Sequence, residues 1–320
     1  MKFKAFWVIC LFVVLFVCDA NAALPLRVGV VLSTGGLLDS SFNDAAYMGV
    51  MQLRKEDNTV VEVIDPQTID GIEPALKYFC ERKMDLICAI GVFANDAVRN
   101  VAAAYPNSKF VLVDSIVSAE NVLSVVFDEE QGSFFAGAYA ALISTTKSVG
   151  FLGGMKSEAI ESFENGFKKG VNFVNPEIKF VSKYLGTTPD AFNMVEKAQE
   201  VGAEFAAENA DIVYHAAGRS GLGLIQASRH GNFYVIGVDS DQSKVAPGRV
   251  IASVVKRIDI ALVKAAEIFK KGSFNGGVWT LGVADDGIGL VFSKFNTSLL
   301  TPEVNDRLEE IEAFVIHKGN

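Results

Sequence analysis

Short apolar runs alternate with amphipathic stretches along most of the chain. Runs of four to seven apolar residues, such as those around Val28, Ile87 and Val111, are separated by segments whose apolar positions recur every three or four residues. Continuous apolar runs are typical of strands buried on both faces of a parallel sheet, and the longer periodicity is typical of the helices that join such strands. The pattern predicts an α/β protein.

The alternation occurs twice. Each half begins with Val-Gly, at Val28-Gly29 and again at Val149-Gly150, followed by apolar residues and a turn that contains glycine. Repeated βαβ units form a parallel sheet with helices on both faces. Two halves of this architecture therefore predict two doubly wound parallel-sheet lobes. Such sheets bind ligands at the carboxyl ends of their strands, so two facing lobes would enclose a cleft.

The sequence predicts that neither lobe is continuous. We assign residues 24–127 and 249–281 to the first lobe, and residues 128–248 and 282–320 to the second. The expected hinge strands lie near Phe127, Asp239 and Gly282, and the segment from Asp239 to Lys256 is expected to cross between the lobes and back.

Residues 1–22 have the character of an export signal. Lys2 and Lys4 precede an apolar stretch from Ala5 to Val17, and the small-residue pattern Ala20-Asn21-Ala22 follows. A charged start, a short apolar segment and small residues are the features of a secretory signal peptide. We therefore expect an exported protein, in the periplasm or on the outer face of the cytoplasmic membrane. Lipidation of Cys18, which would anchor the chain to the membrane, is the open alternative to cleavage after Ala22.

Composition narrows the classes of partner and cofactor. The formal net charge is −9, and no basic block offers a surface for nucleic acid. Beyond the signal, the cysteines are Cys80 and Cys88, which we interpret as two buried thiols, with a disulfide as the alternative. The three histidines are not clustered, so we expect no metal site and no cofactor.

Motifs of common enzymes do not occur. The first strand is followed by "STGG", without the G-x-G-x-x-G spacing of dinucleotide folds, and neither a P-loop nor a G-x-S-x-G nucleophile turn is present. A repressor-like sensor shares two-lobed architecture, but it would begin with a DNA-binding helical module. We expect a binding protein that is not an enzyme.

The stretch "TGGLLDSSFND", residues 34–44, places a phenylalanine among small polar residues. Asp39, Ser40 and Ser41 are typical helix-capping residues, so Phe42 is expected in the first turn of a helix at the mouth of the cleft. There its ring could stack on a planar ligand, or it could fix the entry of the helix as a hydrophobic staple. The sequence leaves both roles open.

Other candidate ligand-binding residues stand where predicted strands end. Asn95 is equally suited to capping the next helix, which is the commoner role. Tyr214 and Phe93 offer further aromatic side chains, although core packing is the favoured role for both. The candidate ligand-binding residues are Ser33, Asp39, Ser41, Phe42, Asn43, Asn95, Asp114, Gly218, Arg219, Asp239 and Lys256.

The motifs "GGLLDSSFND", "EEQGSFFAGAYAA", "VGFLGGM", "HAAGRSGLG", "VIGVDSDQ" and "SVVKRID" resemble the basic membrane protein family of solute-binding proteins. The resemblance spans the mature chain and implies the type I periplasmic-binding-protein fold. Well understood members are purine nucleoside receptors of ABC importers. By resemblance, Phe42 would stack on the nucleobase, Asp114 would bind the base edge, and Asp239 and Lys256 would bind the ribose.

Two positions depart from the family pattern. Ser33 replaces an acidic residue that usually follows the first strand, and Arg219 stands where a small or apolar residue is common.

The resemblance leads us to expect a solute-binding protein that delivers a nucleoside, with a purine base, to ABC transporter permease subunits by cleft closure. The alternatives are a surface antigen or adhesin on the same fold, and a binding protein for another sugar-containing solute.

Overall fold

The computed structural model describes residues 24–318, so the predicted export signal and Cys18 lie outside the described residues. Within this range the chain forms two α/β lobes, as predicted. The strands are β1 (Leu26–Val31), β2 (Thr59–Ile64), β3 (Leu86–Ile90), β4 (Phe110–Val113), β5 (Val122–Phe127), β6 (Ser148–Met155), β7 (Lys179–Gly186), β8 (Ile212–Ala216), β9 (Tyr234–Asp239), β10 (Val250–Lys256), β11 (Gly277–Leu281) and β12 (Ile288–Phe292). The helices are α1 (Phe42–Leu53), α2 (Ile72–Glu81), α3 (Asn95–Ala104), α4 (Glu129–Ile143), α5 (Glu158–Val174), α6 (Val195–Ala207), α7 (Gly221–Ser228), α8 (Ile258–Lys270) and α9 (Pro302–Lys318).

Each lobe is built on one six-stranded sheet. The first sheet has the strand order β11-β5-β4-β3-β1-β2, and all of its neighbouring strands are parallel. The second has the order β12-β10-β9-β8-β6-β7, in which only the edge strand β12 runs antiparallel, to β10. Helices cover both faces of each sheet, which explains why the inner strands are continuously apolar.

Equivalent helices cover equivalent faces. In the first lobe, α1 and α8 pack on one face and α2 and α3 on the other. In the second lobe, α4, α5 and α9 pack on one face and α6 and α7 on the other. Cys80 and Cys88 are buried free thiols in the first lobe, as expected from the sequence. No helix among residues 24–318 combines the length and apolar character needed to cross a bilayer.

Between residues 24 and 318 the chain passes between the lobes three times, and one passage differs from the prediction. The passages are β5 to α4, β10 to α8 and β11 to β12. Residues 249–256 were predicted in the first lobe, but they contain β10, which pairs with β9 and β12 in the second sheet. The second hinge therefore follows Lys256 and does not lie at Asp239, and the segment between these residues stays in the second lobe. The apolar pattern of a strand does not indicate which of two similar sheets the strand joins.

Candidate functional site

A cavity of about 650 Å³ lies between the lobes, at the carboxyl ends of their central strands. The segments that follow β1, β3, β4 and β5 line it from the first lobe, and those that end or follow β6, β8, β9 and β10 line it from the second. This is the position where open α/β sheets bind ligands.

Ten of the eleven candidate residues line this cavity, and Ser41 does not. Ser41 is fully buried, and its hydroxyl donates to Asp239 Oδ2 over 2.6 Å. Its side chain makes no capping hydrogen bond, contrary to the expected capping role. Ser41 therefore lies behind the cavity wall, where it holds a lining residue. The residues that do line it are Ser33, Asp39, Phe42, Asn43, Asn95, Asp114, Gly218, Arg219, Asp239 and Lys256.

Asp39 and Asn43 fix the start of α1. The Asp39 carboxylate accepts the backbone N–H groups of Ser41, Asn43 and Asp44, as expected of a capping residue. Asn43 donates from its side chain to Asp39 Oδ2 over 3.1 Å and accepts the Ser33 N–H over 2.9 Å. Burial raises the pKa of Asp39 above its ordinary value, although these N–H groups oppose the shift. The network connects the end of β1 to the first turn of α1, where Phe42 lies.

Lys256 is the centre of the charged part of the site. Its Nζ lies 2.9 Å from both Asp114 carboxylate oxygens and 2.9 Å from Glu129 Oε1, and its side chain is 1% exposed. Burial acts to lower the pKa of Lys256, but Asp114, Glu129 and Asp239 together outweigh it and raise this pKa. The lysine therefore stays charged, and it joins Asp114 of the first lobe to the second lobe.

Asp114 and Asp239 occupy equivalent positions at the ends of β4 and β9. Both have left-handed backbone conformations, with φ of 67° and 64°. Aspartate tolerates this region better than most residues, and such strain clusters at functional sites. Burial raises the pKa of Asp239 to about 6; Lys256 and Ser41 oppose the shift, and the charges of Asp114 and Asp39 add to it.

Aromatic side chains from both lobes surround these charges. The Lys256 ammonium lies 5.7 Å from the ring centre of Phe42, 5.2 Å from that of Phe127 and 5.0 Å from that of Phe163. Phe42 is partly buried and lines the cavity, so its ring is available at the surface of the site. It also packs against the first-lobe core, so the staple role and a role in the cavity are both compatible with its position.

Three further predictions have mixed outcomes. Tyr214 is fully buried in the second-lobe core, as favoured, with its hydroxyl 3.1 Å from Ser133 Oγ. Phe93 packs, partly buried, against the first-lobe core as favoured, and it also lines the cavity, where it meets Phe192 edge to face at 6.2 Å. Asn95 does not act as a cap: its amide donates to Ser115 Oγ and to the Ile116 carbonyl at the cavity wall.

Glu129, Phe163 and Phe192 line the cavity but were not predicted. Glu129 is the first residue of α4, where acidic residues are common because they interact favourably with the helix dipole. The sequence therefore did not indicate that Glu129 also lines the cavity. Phe163 belongs to the apolar face of α5 and carried no separate signal. Phe192 stands in the polar stretch "TTPDAFNM", which is the same kind of signal as Phe42 and could have identified it.

Comparison with known proteins identifies relatives along nearly the whole chain. Basic membrane protein B of Borreliella burgdorferi is 32% identical over 81% of this chain and 79% of the relative. The CD4+ T-cell-stimulating antigen of Listeria innocua is 29% identical over 93% of this chain and 88% of the relative. An ABC transporter system solute-binding protein from Aeropyrum pernix K1, a crystal structure, is 26% identical with a TM-score of 0.76, covering 85% of this chain and 78% of that one.

The family match agrees with the fold and with the place of the cavity. The family described as "ABC transporter substrate-binding protein PnrA-like" matches residues 26–319, which include both lobes and all three passages between them. The chain therefore belongs to the PnrA-like family of ABC transporter substrate-binding proteins.

Proposed function

We propose that this protein binds a nucleoside with a purine base in the cleft between its lobes and delivers it to an ABC importer. The observation that carries the proposal is the composition of the cavity: phenylalanines from both lobes and a buried lysine with carboxylates line one cleft. A volume of about 650 Å³ lies within the usual range for small-molecule sites.

The aromatic residues suit the base. Phe42 lines the cavity from the first lobe and Phe192 from the second, so closure of the lobes would bring a ring to each side of a planar ligand. Stacking of a base on an aromatic side chain is worth about 1–3 kcal/mol. Asp114 and Asn95, at the wall of the first lobe, would meet the edge of the base.

The charged residues suit the sugar. The Asp239 carboxylate can accept both hydroxyls of a ribose, and the Lys256 ammonium would donate to a ribose oxygen in exchange for one of its three hydrogen bonds to Asp114 and Glu129. Both side chains are almost completely buried, so hydrogen bonds to them are shielded from water and depend on the ligand's geometry. The phenylalanines on both sides of the cavity match the two flat faces of a base, which favours a nucleoside over another sugar-containing solute.

The transport role follows from the family and the architecture. Closure of two lobes about the three passages between them would bury the ligand, and the closed form would dock on the permease subunits. We place the protein outside the cytoplasm, held there by a lipid at Cys18 or released after Ala22. Metabolic labelling with palmitate, compared between the natural chain and Cys18→Ser, tests the anchor.

Release of bound small molecules tests the ligand class. The purified protein is denatured by heat, and the supernatant is analysed by mass spectrometry; a purine nucleoside is the expected product. Calorimetry then compares Phe42→Ala with Phe295→Ala, an exposed phenylalanine in the second lobe. Only the Phe42 variant should lose more than about 1 kcal/mol of nucleoside binding.

The competing function is that of a surface antigen without a transport ligand. A relative in Listeria innocua is named a T-cell-stimulating antigen, a name compatible with a transport protein as well. A preparation that releases no small molecule, and whose thermal unfolding midpoint does not change with any nucleoside, would support the antigen and contradict the proposal.

A further inference from the structure

Arg219 occupies the boundary between the main cavity and a smaller polar pocket. It lines both spaces, together with Gly35 of the opposite lobe. The smaller pocket is otherwise lined by Gln67 of the first lobe and by Asn193, Val195 and Glu196 of the second. Arg219 therefore stands where the cleft opens, within reach of both lobes.

The backbone around Arg219 is fixed. The Ser220 hydroxyl accepts the Met194 N–H over 2.6 Å and donates to the Ala191 carbonyl over 2.8 Å, and Ser220 is fully buried. Gly218 has φ of 53°, in the left-handed region, and a Cβ there would be in ordinary van der Waals contact with the Cβ of Phe192, at 3.5 Å. The guanidinium is thus carried on a rigid turn beside an aromatic side chain of the cavity.

The N–H donors of the Arg219 guanidinium are not used by other residues that the structure describes. Within residues 24–318, no hydrogen bond, ion pair or ring contact joins its side chain to another residue. The other cation of the cavity lining, Lys256, is already paired with Asp114 and Glu129. A planar fork of N–H groups is best satisfied by two acceptors that lie in one plane.

The charge of the cavity decides what kind of acceptor fits. Seven acidic residues and two basic residues line it, so a phosphate would enter a negative environment. A neutral ligand that presents two acceptors side by side avoids this repulsion. The O6 and N7 atoms of guanine and hypoxanthine form such an edge, which arginine binds in a bidentate manner, whereas adenine presents an amino donor at the same place.

We infer that Arg219 is a specificity-determining residue that binds the O6/N7 edge of a 6-oxopurine, so that guanosine and inosine are preferred to adenosine. The inference rests on the proposed function, because it assumes that a base stacks beside Phe192. It deepens that function by naming the class of base, and it uses a side chain that no other part of the site engages.

Calorimetry with four probes tests the inference: guanosine, inosine, adenosine and 7-deazaguanosine. Guanosine and inosine should bind the natural protein about tenfold more tightly than adenosine, or better. Replacement of N7 by carbon should weaken guanosine binding in the natural protein. In Arg219→Gln the ratio of the affinities for guanosine and adenosine should fall towards one. In Arg219→Lys, which keeps the charge without the planar fork, this ratio should fall to an intermediate value.

Arg307→Gln is the matched control, since it removes an exposed arginine of α9, outside the cavity, and should leave the preference unchanged. Thermal unfolding of both Arg219 variants shows whether they are folded. Equal affinity for guanosine and adenosine, an unchanged preference in Arg219→Gln, or tighter binding of guanosine 5′-monophosphate than of guanosine would overturn the inference alone. Absence of binding to every nucleoside would overturn the proposed function, and this inference with it.

Discussion

The hydroxyl of Ser41 donates to Oδ2 of Asp239 over 2.6 Å, although the two residues belong to different lobes. Two more hydrogen bonds run beside it: Ser240 Oγ donates to the Ser41 carbonyl, and Gln242 Nε2 donates to the Ser40 carbonyl. The loop before α1 therefore rests on the loop after β9, and the contact orients a carboxylate that lines the cavity. The geometry of the site thus depends on the lobes being together.

Replacement of Ser41 by alanine should weaken nucleoside binding. The variant removes a donor from a buried carboxylate, and a hydrogen bond to a charged group contributes about 1.5–3 kcal/mol. We expect a loss of about tenfold in affinity by calorimetry. Ser273→Ala, at an exposed serine of the first lobe, is the control. Equal affinities of the two variants would show that the contact across the cleft does not support binding.

Nucleoside affinity should fall in mild acid. The pKa of Asp239 is raised to about 6, chiefly by burial, and in the proposed complex the ribose hydroxyls would donate to the ionised carboxylate. Affinity is therefore greatest above this pKa and decreases as the pH falls through it, by up to about tenfold per pH unit. Calorimetry from pH 7.5 to 5 measures the profile. Asp239→Asn should bind weakly with a flatter profile, whereas an equally steep profile would assign the titration to another group.

The sequence predicts those parts of this molecule that depend on local pattern. Apolar runs and turn residues mark the strands and their ends, and strand ends in doubly wound sheets lie at one edge, so Asp114 and Asp239 could be named without coordinates. A lone phenylalanine among small polar residues, such as Phe42, is also visible in the sequence.

What the sequence does not predict depends on which parts meet across the lobes. Strand β10 carries no signal for its sheet, so the hinge at Lys256 was misplaced by about one strand. Glu129 looks like any acidic helix start until Lys256 is found 2.9 Å away. Ser41 looks like a cap until its partner in the other lobe is known. Polar groups that pair with residues far away in the sequence produce no periodic sequence pattern that would predict the pairing.

Replacement of Lys256 by methionine should destabilise the protein as well as abolish nucleoside binding. Asp114 and Glu129 would lose the ammonium that compensates them, and their side chains are only 13% and 11% exposed. Removal of one partner of a buried ion pair costs about 3–5 kcal/mol. Urea unfolding measures this loss. Adding Asp114→Asn to the variant should restore part of the stability, and failure to restore any would contradict the electrostatic explanation.

His215 should make the protein less stable in acid. Gln242 Oε1 accepts both the Val238 N–H and His215 Nε2–H, which leaves the buried Nδ1 without a partner among the described residues. Burial lowers the pKa of His215 from 6.5 to about 4, with the Gln242 hydrogen bond opposing the shift. The unfolded chain binds this proton first, so up to about 3 kcal/mol of stability is lost as the pH falls from 6.5 to 4.

The difference between the natural chain and His215→Gln isolates this effect. Asp239 acts in the opposite sense between pH 4 and 6, because its pKa is raised, but its contribution is common to both chains. Urea unfolding at pH 7 and pH 4.5 should show that the natural chain loses more stability than the variant. A parallel loss in both would contradict the role of His215.

Helix α4 begins at Glu129 and helix α5 carries Phe163, so their close packing positions both residues at the cavity. A Cβ at Gly137 of α4 would lie 2.0 Å from the Phe167 carbonyl oxygen, a backbone atom that cannot move aside alone. Gly137→Ala must therefore separate the helices, and we expect a loss of about 3 kcal/mol in the free energy of unfolding together with weaker nucleoside binding. Gly289→Ala is the matched control, because a Cβ there has nothing within 4 Å. If both variants unfold at the same urea concentration, the helix contact is more adaptable than the structure indicates, and the placement of Glu129 does not depend on it.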